Sequence, residues 1–387
     1  MRIAPKSFRF GFLAIGLLSF AAMLTTGLTP NVVADDDDRD SGAVFTLSNE
    51  KAGNHLLAFG RTARGLLYPV GSVATGGLGT GGGLHNEGAL ALSSDGDYLF
   101  GVNPGSDSIS AFSLEGKMPK LVQTVPSGGH LPISVTVHEN LLYVLHTGGD
   151  DGGTDSITGF WITGHGLRAI PNSSRALSMK SAGPAQIGFS NGGNVLVVTE
   201  RGTNMISTYQ VNPNGTVVGP KVQPSSGKTP FGFGFTPNGK LVVSEANGGG
   251  ANPGGSTVSL YAVAADGTLT AETSSLHTQQ TAACWIAVDP NGKFAYTSNT
   301  PAATLTGMSV NQQTGSLSLL NPNGGTTAST GSGSAPTDGA VYRGQVIYIL
   351  NSGLGQIAAF DIANDGSLHP LDLVFGFPAS GTGLVVR

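Results

Sequence analysis

The chain has 387 residues, a net charge of −5 and only 11% charged residues. It shows no basic stripe, which argues against nucleic acid as a partner. Its 60 glycines follow no triplet period, which excludes collagen, and its single cysteine, Cys284, excludes an internal disulfide.

At the N-terminus Arg2, Lys6 and Arg9 accompany an apolar run over 10–24, and Val32-Val33-Ala34 offers a cleavage site. The pattern predicts a secretory signal peptide over 1–34 and an exported protein, periplasmic or extracellular. The apolar run is shorter than the roughly 18 residues a spanning helix needs, which argues against a permanent anchor. The run DDDDRD predicts an acidic, solvated linker over 35–42. A single all-β domain is expected over 43–387, because short strands and regular turns fill it and no amphipathic helix is evident.

The first readable strands lie over 44–48, 55–60 and 67–73. They read as the second, third and fourth strands of a unit whose innermost strand is missing. Complete units follow over 84–129, 130–182, 183–227, 228–280, 281–333 and 334–380. The fifth blade shows the pattern most fully: a Pro-led strand over 230–235, a turn at Asn238-Gly239, an apolar strand over 240–244, a Gly-rich loop over 247–255 and an alternating strand over 257–263. Asn-Gly between apolar runs is a strong hairpin signal. The units anchor at Glu87, Pro132, Pro184, Pro230, Ala283 and Pro336, with steps of 45, 52, 46, 53 and 53 residues. Such steps match the blades of a propeller, roughly 40–50 residues each. The closing phrase GTGLVVR begins at Gly381, another 45 residues past Pro336. It is expected to supply the missing inner strand and close a seven-bladed β-propeller, leaving no free sheet edge.

The phrases PFGFGFTPNGK and CWIAVDPNGK carry a resemblance, as do the strand pair YTSN…LTGMSV and the closings TYQVNPNGTV, YAVAADGTL, SVNQQTGSL and AFDIANDGSL. They resemble the seven-bladed lactonase-type propellers, which include bacterial 6-phosphogluconolactonases and fungal carboxymuconate-lactonizing enzymes. The resemblance spans nearly all of 43–387. It implies a lactone hydrolase or lactonizing isomerase for a small sugar-acid or muconate-type substrate, with acid–base residues at the mouth of the central channel. Where the family's phosphogluconolactonases carry Gly-Pro-Arg-His in the fifth blade, this chain reads Thr229-Pro230-Phe231-Gly232. A non-catalytic propeller that binds a protein, glycan or surface component is the alternative reading.

Glu200, Arg201 and Glu245 directly follow apolar strands and are the candidate catalytic residues. A carboxylate could activate water, and an arginine could hold an anion or oxyanion. His85, Glu87, His130, His146 and Gln186 stand near strand ends or anchors and are candidate substrate-binding residues. Asn103, Asn299 and Asn351 also end second strands and read as turn caps. Three short matches lack the strand-to-helix setting their chemistry needs: G-x-G-x-x-G over 77–82, G-x-S-x-G over 188–192 and S-x-x-K over 225–228. Asp150, Asp151 and Asp155 lack the order of a calcium loop. The sequence thus predicts no metal and no cofactor. The expected partner is a small lactone or surface ligand, bound by a monomer that no longer touches the membrane once its signal is cleaved.

Overall fold

The computed structural model describes residues 42–116, 118–149, 153–164 and 166–387. The predicted signal peptide lies outside them, as do Asp150, Asp151 and the linker up to residue 41. Gly42, placed in the linker by its sequence, already belongs to the first strand, Gly42–Leu47.

The described chain forms seven antiparallel sheets in a ring. In blade five the order from the centre outward is Pro230–Phe235, Leu241–Glu245, Thr257–Val263 and Leu269–His277. Blades two, four and seven repeat this order, and in blades three and six the outermost strand is broken into two short pieces. Blade one is built from both ends of the chain. Thr382–Val386 pairs antiparallel with Gly42–Leu47, with Val44 opposite Val386 and Phe45 opposite Val385. The expected closure is therefore present. Among the described residues the only helical pieces are three-residue 3-10 turns, such as Gly249–Ala251 and Thr300–Ala302.

Burial follows position in the blade. The second strands Val195–Glu200 and Val346–Asn351 are buried at every residue, whereas the outer strand Val217–Pro224 is mostly exposed. A second strand has a neighbouring blade on each face, so both of its faces must be apolar or satisfied. The core consists of clusters between blades. Val195, Val197 and Ile206 of blade four pack on Phe233, Leu241, Val243 and Tyr261 of blade five. Each such buried side chain contributes about 1.5–3 kcal/mol. Tyrosine hydroxyls add hydrogen bonds across the seams: Tyr143 donates to Gly215 O at 2.7 Å, Tyr296 to Gly366 O at 3.0 Å and Tyr348 to Gly65 O at 2.9 Å.

Two departures from regular pairing shape the centre. The inner strands of blades three to seven each slip register just after the anchor, between Pro132 and Ser134, Pro184 and Gln186, Pro230 and Phe233, Ala283 and Trp285, and Pro336 and Gly339. Bulges of this kind re-aim side chains. The second departure is the link from the outer strand of blade one, Leu67–Ala74, to the inner strand of blade two, Leu90–Leu92. Residues 84–88 of that link cross the channel.

Candidate functional site

The crossing segment bonds to walls on opposite sides of the ring. Asn86 donates from Nδ2 to Ile133 O of blade three, and its carbonyl accepts from Trp285 Nε1 of blade six at 2.6 Å. Glu87 N donates to Ala185 O of blade four at 3.0 Å, and Gly88 O accepts from Val135 N at 2.8 Å. Gly88 has φ +78°, a left-handed conformation that costs an L-residue and suits glycine.

Above this segment opens a cavity of about 590 Å³. Its lining includes His85 from the crossing segment, Arg201 from blade four, and Phe231, Cys284 and Asp338 from the bulges of blades five, six and seven. Phe231 and Trp285 form one wall, their rings 4.9 Å apart at 58°. Arg201 is the single cation of this lining. Its guanidinium lies 6.0 Å from the Phe231 ring centre, and burial lowers its pKa. Among the described residues Arg201 makes no side-chain hydrogen bond or ion pair. A half-buried guanidinium with free donors favours an anion or a developing oxyanion. Burial, and to a lesser extent Arg201, lowers the pKa of His85, so its imidazole is neutral near pH 7. Burial pushes the Cys284 thiol up to about 12, which keeps it protonated and a poor nucleophile.

Of the residues predicted from sequence, Arg201 and His85 meet in this cavity, and Glu87 lies in the crossing segment that forms its floor. Glu87 is buried and accepts from Ile286 N at 3.2 and 3.4 Å. The carboxylates of Glu200 and Glu245 do not line the cavity. Glu200 accepts from Ser178 N at 3.1 Å, Ser178 Oγ, Thr203 Oγ1 at 2.9 Å and Ser207 Oγ at 2.6 Å. Glu245 accepts from Ser225 Oγ at 2.9 Å, Gly227 N at 2.8 Å, Thr257 Oγ1 at 2.6 Å and Ser259 Oγ at 2.8 Å. Each ties the end of the preceding blade to its own third strand. Ser225, the serine of the S-x-x-K match, serves this joint.

His146 occupies the same strand-end position in blade three. It is buried, its Nδ1 lies 3.3 Å from Ser156 O and its Nε2 3.1 Å from Ser127 O, and burial lowers its pKa to about 4. Asn103 and Asn299 fill the position in blades two and six, where they donate to Ser110 Oγ at 2.7 Å and Thr306 Oγ1 at 2.9 Å. Gln186 is also a structural bridge: Phe233 N donates to its Oε1 at 2.6 Å, and its Nε2 donates to Phe233 O at 3.0 Å. His130 pairs with Asp107 at 2.9 Å and lines a neighbouring depression shared with Arg201 and Leu84. Asp155 holds a loop, accepting from Gly148 N at 2.7 Å and Gly183 N at 2.9 Å.

Sequence reading missed Asp338. Its only signal is its place two residues past the anchor Pro336, where the bulge turns it to the channel. Burial raises its pKa to about 6, against the lowering effect of the amides of Gly383 and Gly88.

The comparisons agree with this architecture. The model of the lactonase family, seven-bladed beta-propeller, matches residues 165–270 and 248–383, more than half of the chain. The chain therefore belongs to the seven-bladed β-propeller lactonase family. No curated protein matches it. Among solved structures, a candidate 6-phosphogluconolactonase from Bacteroides fragilis is 19% identical with a TM-score of 0.69, covering 90% of this chain and 98% of the other. The periplasmic gluconolactonase of Pseudomonas aeruginosa is 15% identical with a TM-score of 0.67, covering 89% and 98%. A virginiamycin B lyase from Staphylococcus aureus is 12% identical with a TM-score of 0.53, covering 76% and 86%. At these identities the likeness is one of fold.

Proposed function

We propose that the protein is an exported lactonase that opens a small lactone, or forms one in the reverse direction, in the cavity at the channel mouth. The observation that carries this reading is Arg201, a half-buried guanidinium with free donors in an otherwise largely apolar cavity of a lactonase-family propeller. Arg201 holds the carboxylate of an acidic lactone or the oxygen of its carbonyl as charge develops there. Phe231 and Trp285 pack against the ring, and neutral His85 hydrogen-bonds the substrate. The family and the predicted signal peptide support the lactone and the export. The alternative is a propeller that binds such ligands without turnover.

The test uses full-length chain produced in a secreting host. The exported protein should have an N-terminus near Asp35 by mass spectrometry. It should release protons from at least one member of a panel of sugar-acid and muconate-type lactones, and Arg201→Gln should lower kcat/KM by about 100-fold, the scale of losing one oxyanion donor. Thermal stabilisation by a lactone without proton release would support the binding-only alternative. Wild-type rates in Arg201→Gln would remove the arginine from the reaction.

A further inference from the structure

We propose that Asp338 is the general base of this site, taking the proton of the attacking water, and that Glu87 beside it is a positioning residue that keeps the pair's other proton. This rests on the lactone reading of the same cavity. Asp338 sits in the bulge of the blade-seven inner strand, is 4% exposed and still lines the cavity. Gly88 N faces its Oδ1 at 3.4 Å, and Gly383 N faces its Oδ2 at 3.2 Å. These amides come from the crossing segment and from the closing strand, so the carboxyl plane is fixed from two sides. One amide on each oxygen leaves lone pairs for a water.

Glu87 adjoins Gly88 and accepts from the single amide of Ile286. The two carboxyl groups thus share a buried site, with three backbone amides among their partners and no ion pair among the described residues. Like charges in such a site cannot both form at neutral pH. Burial raises both groups, and the charge of Asp338 raises Glu87 further. Asp338 has an amide on each oxygen and Glu87 only the one amide of Ile286, so the charge is better held on Asp338 and the remaining proton on Glu87.

The other titratable groups around Asp338 are disfavoured in this role. The Cys284 thiol on the blade-six strand stays protonated. The His85 imidazole on the crossing segment lies near Arg201, which disfavours gaining a proton. Tyr296 and Tyr348, on the adjoining second strands, point into the blade seams. The closing strand, Thr382–Val386, carries no titratable side chain.

The reaction balances without a co-reactant other than water. The water oxygen bonds to the carbonyl carbon as its proton passes to Asp338, and the carbonyl electron pair moves onto oxygen, where Arg201 faces it. Collapse breaks the ring C–O bond, and the ring oxygen takes the proton back from Asp338. The open hydroxy acid then releases one proton to solvent.

The experiment measures kcat and KM against pH for wild type, Asp338→Asn and Asp338→Glu, on a lactone that the wild type opens, with melting curves for each. Wild-type kcat/KM should fall on the acid side with a midpoint at about 6. Asp338→Asn should lower kcat by about 100-fold or more and remove that limb, with KM changed by less than about 3-fold. Asp338→Glu should recover part of the rate and restore an acid limb. Wild-type kcat in the Asn variant would overturn the proposal, and so would a wild-type profile flat through pH 6. If the Asn variant fails to fold, the wild-type profile and the Glu variant still decide. A wild type that opens no lactone is a separate failure, which removes the lactone reading and this inference with it.

Discussion

Two pairs of buried acids sit in this ring, and they are held in opposite ways. Glu200 and Glu245 end the second strands of blades four and five, and each accepts from several side-chain hydroxyls as well as an amide. Glu87 and Asp338 stand at the channel, beside one another, and accept long bonds from backbone amides alone. All four are buried. Burial therefore does not mark a reactive carboxylate in this molecule. The number of donors converging on it does: the first pair has its lone pairs filled by protein, and the second has capacity left for a water or a proton.

The largest effect that sharpens this contrast is expected at Glu245. Replacing it by Leu leaves Ser225, Thr257 and Ser259 and the amide of Gly227 without their acceptor in the seam. Stranded buried donors of this kind cost about 3–5 kcal/mol together. Urea denaturation should show a lower midpoint at unchanged slope, with the unfolding free energy reduced by that amount. A loss below about 1 kcal/mol would mean that water replaces the carboxylate, and the two pairs would no longer differ in kind.

The ring itself was legible because its signals are local and repeated. Asn238-Gly239 and its counterparts fix the hairpins, and the step between anchors fixes the blade. Even the closure could be read, since 44–48 lacked an inner partner and GTGLVVR lacked a blade. The site was legible only in part. Glu200 and Glu245 stand where an apolar strand meets a loop, and sequence cannot show that serines and threonines from two blades converge there. Their counterparts His146, Asn103 and Asn299 are chemically unlike them, which hid the common structural role. Asp338 was missed because its direction depends on a register slip after Pro336, of which Gly339 is the one hint in PTDGAVY. Glu87 was read as an anchor and a candidate binding residue, but its neighbour Asp338 lies about 250 residues away in sequence.

A second, smaller effect separates the pairs by pH. Asp338 has an ordinary value of 3.8 and is raised to about 6 by burial in the folded chain. The folded state then binds its proton more tightly than the unfolded state does. The associated stability is present below about pH 4 and is lost as pH rises through about 6. The shift corresponds to about 3 kcal/mol at most. Asn at this position carries no proton to lose. The stability of Asp338→Asn relative to wild type should therefore rise by up to about 3 kcal/mol between pH 4 and pH 7, around a constant offset for the amide that Asn leaves unmatched. Denaturation of both proteins at several pH values gives the difference directly. A constant difference across that range would mean that Asp338 ionises as it would in water.

The smallest expected effect tests whether Glu87 occupies the place the contrast requires. A Cβ on Gly232 of blade five would stand 1.8 Å from Glu87 Oε2 and 2.9 Å from Cys284 O. Neither distance is tolerable, and the backbone carbonyl is the less able to move. Gly232→Ala should therefore cost about 1–3 kcal/mol, the usual range for overpacking. Glu87→Ala should cost stability by opening a cavity and unpairing the amide of Ile286. The informative quantity is the double variant. With the carboxyl gone, the new methyl group enters the vacated space, and only the contact with Cys284 O remains to be relieved. The cost of Gly232→Ala should thus be smaller in the Glu87→Ala background, by about 0.5–2 kcal/mol, a coupling typical of residues in contact. Equal costs in both backgrounds would place the Glu87 side chain elsewhere in the channel. It would then no longer stand beside Asp338 as its proton-holding neighbour, and the contrast between the two pairs would rest on Asp338 alone.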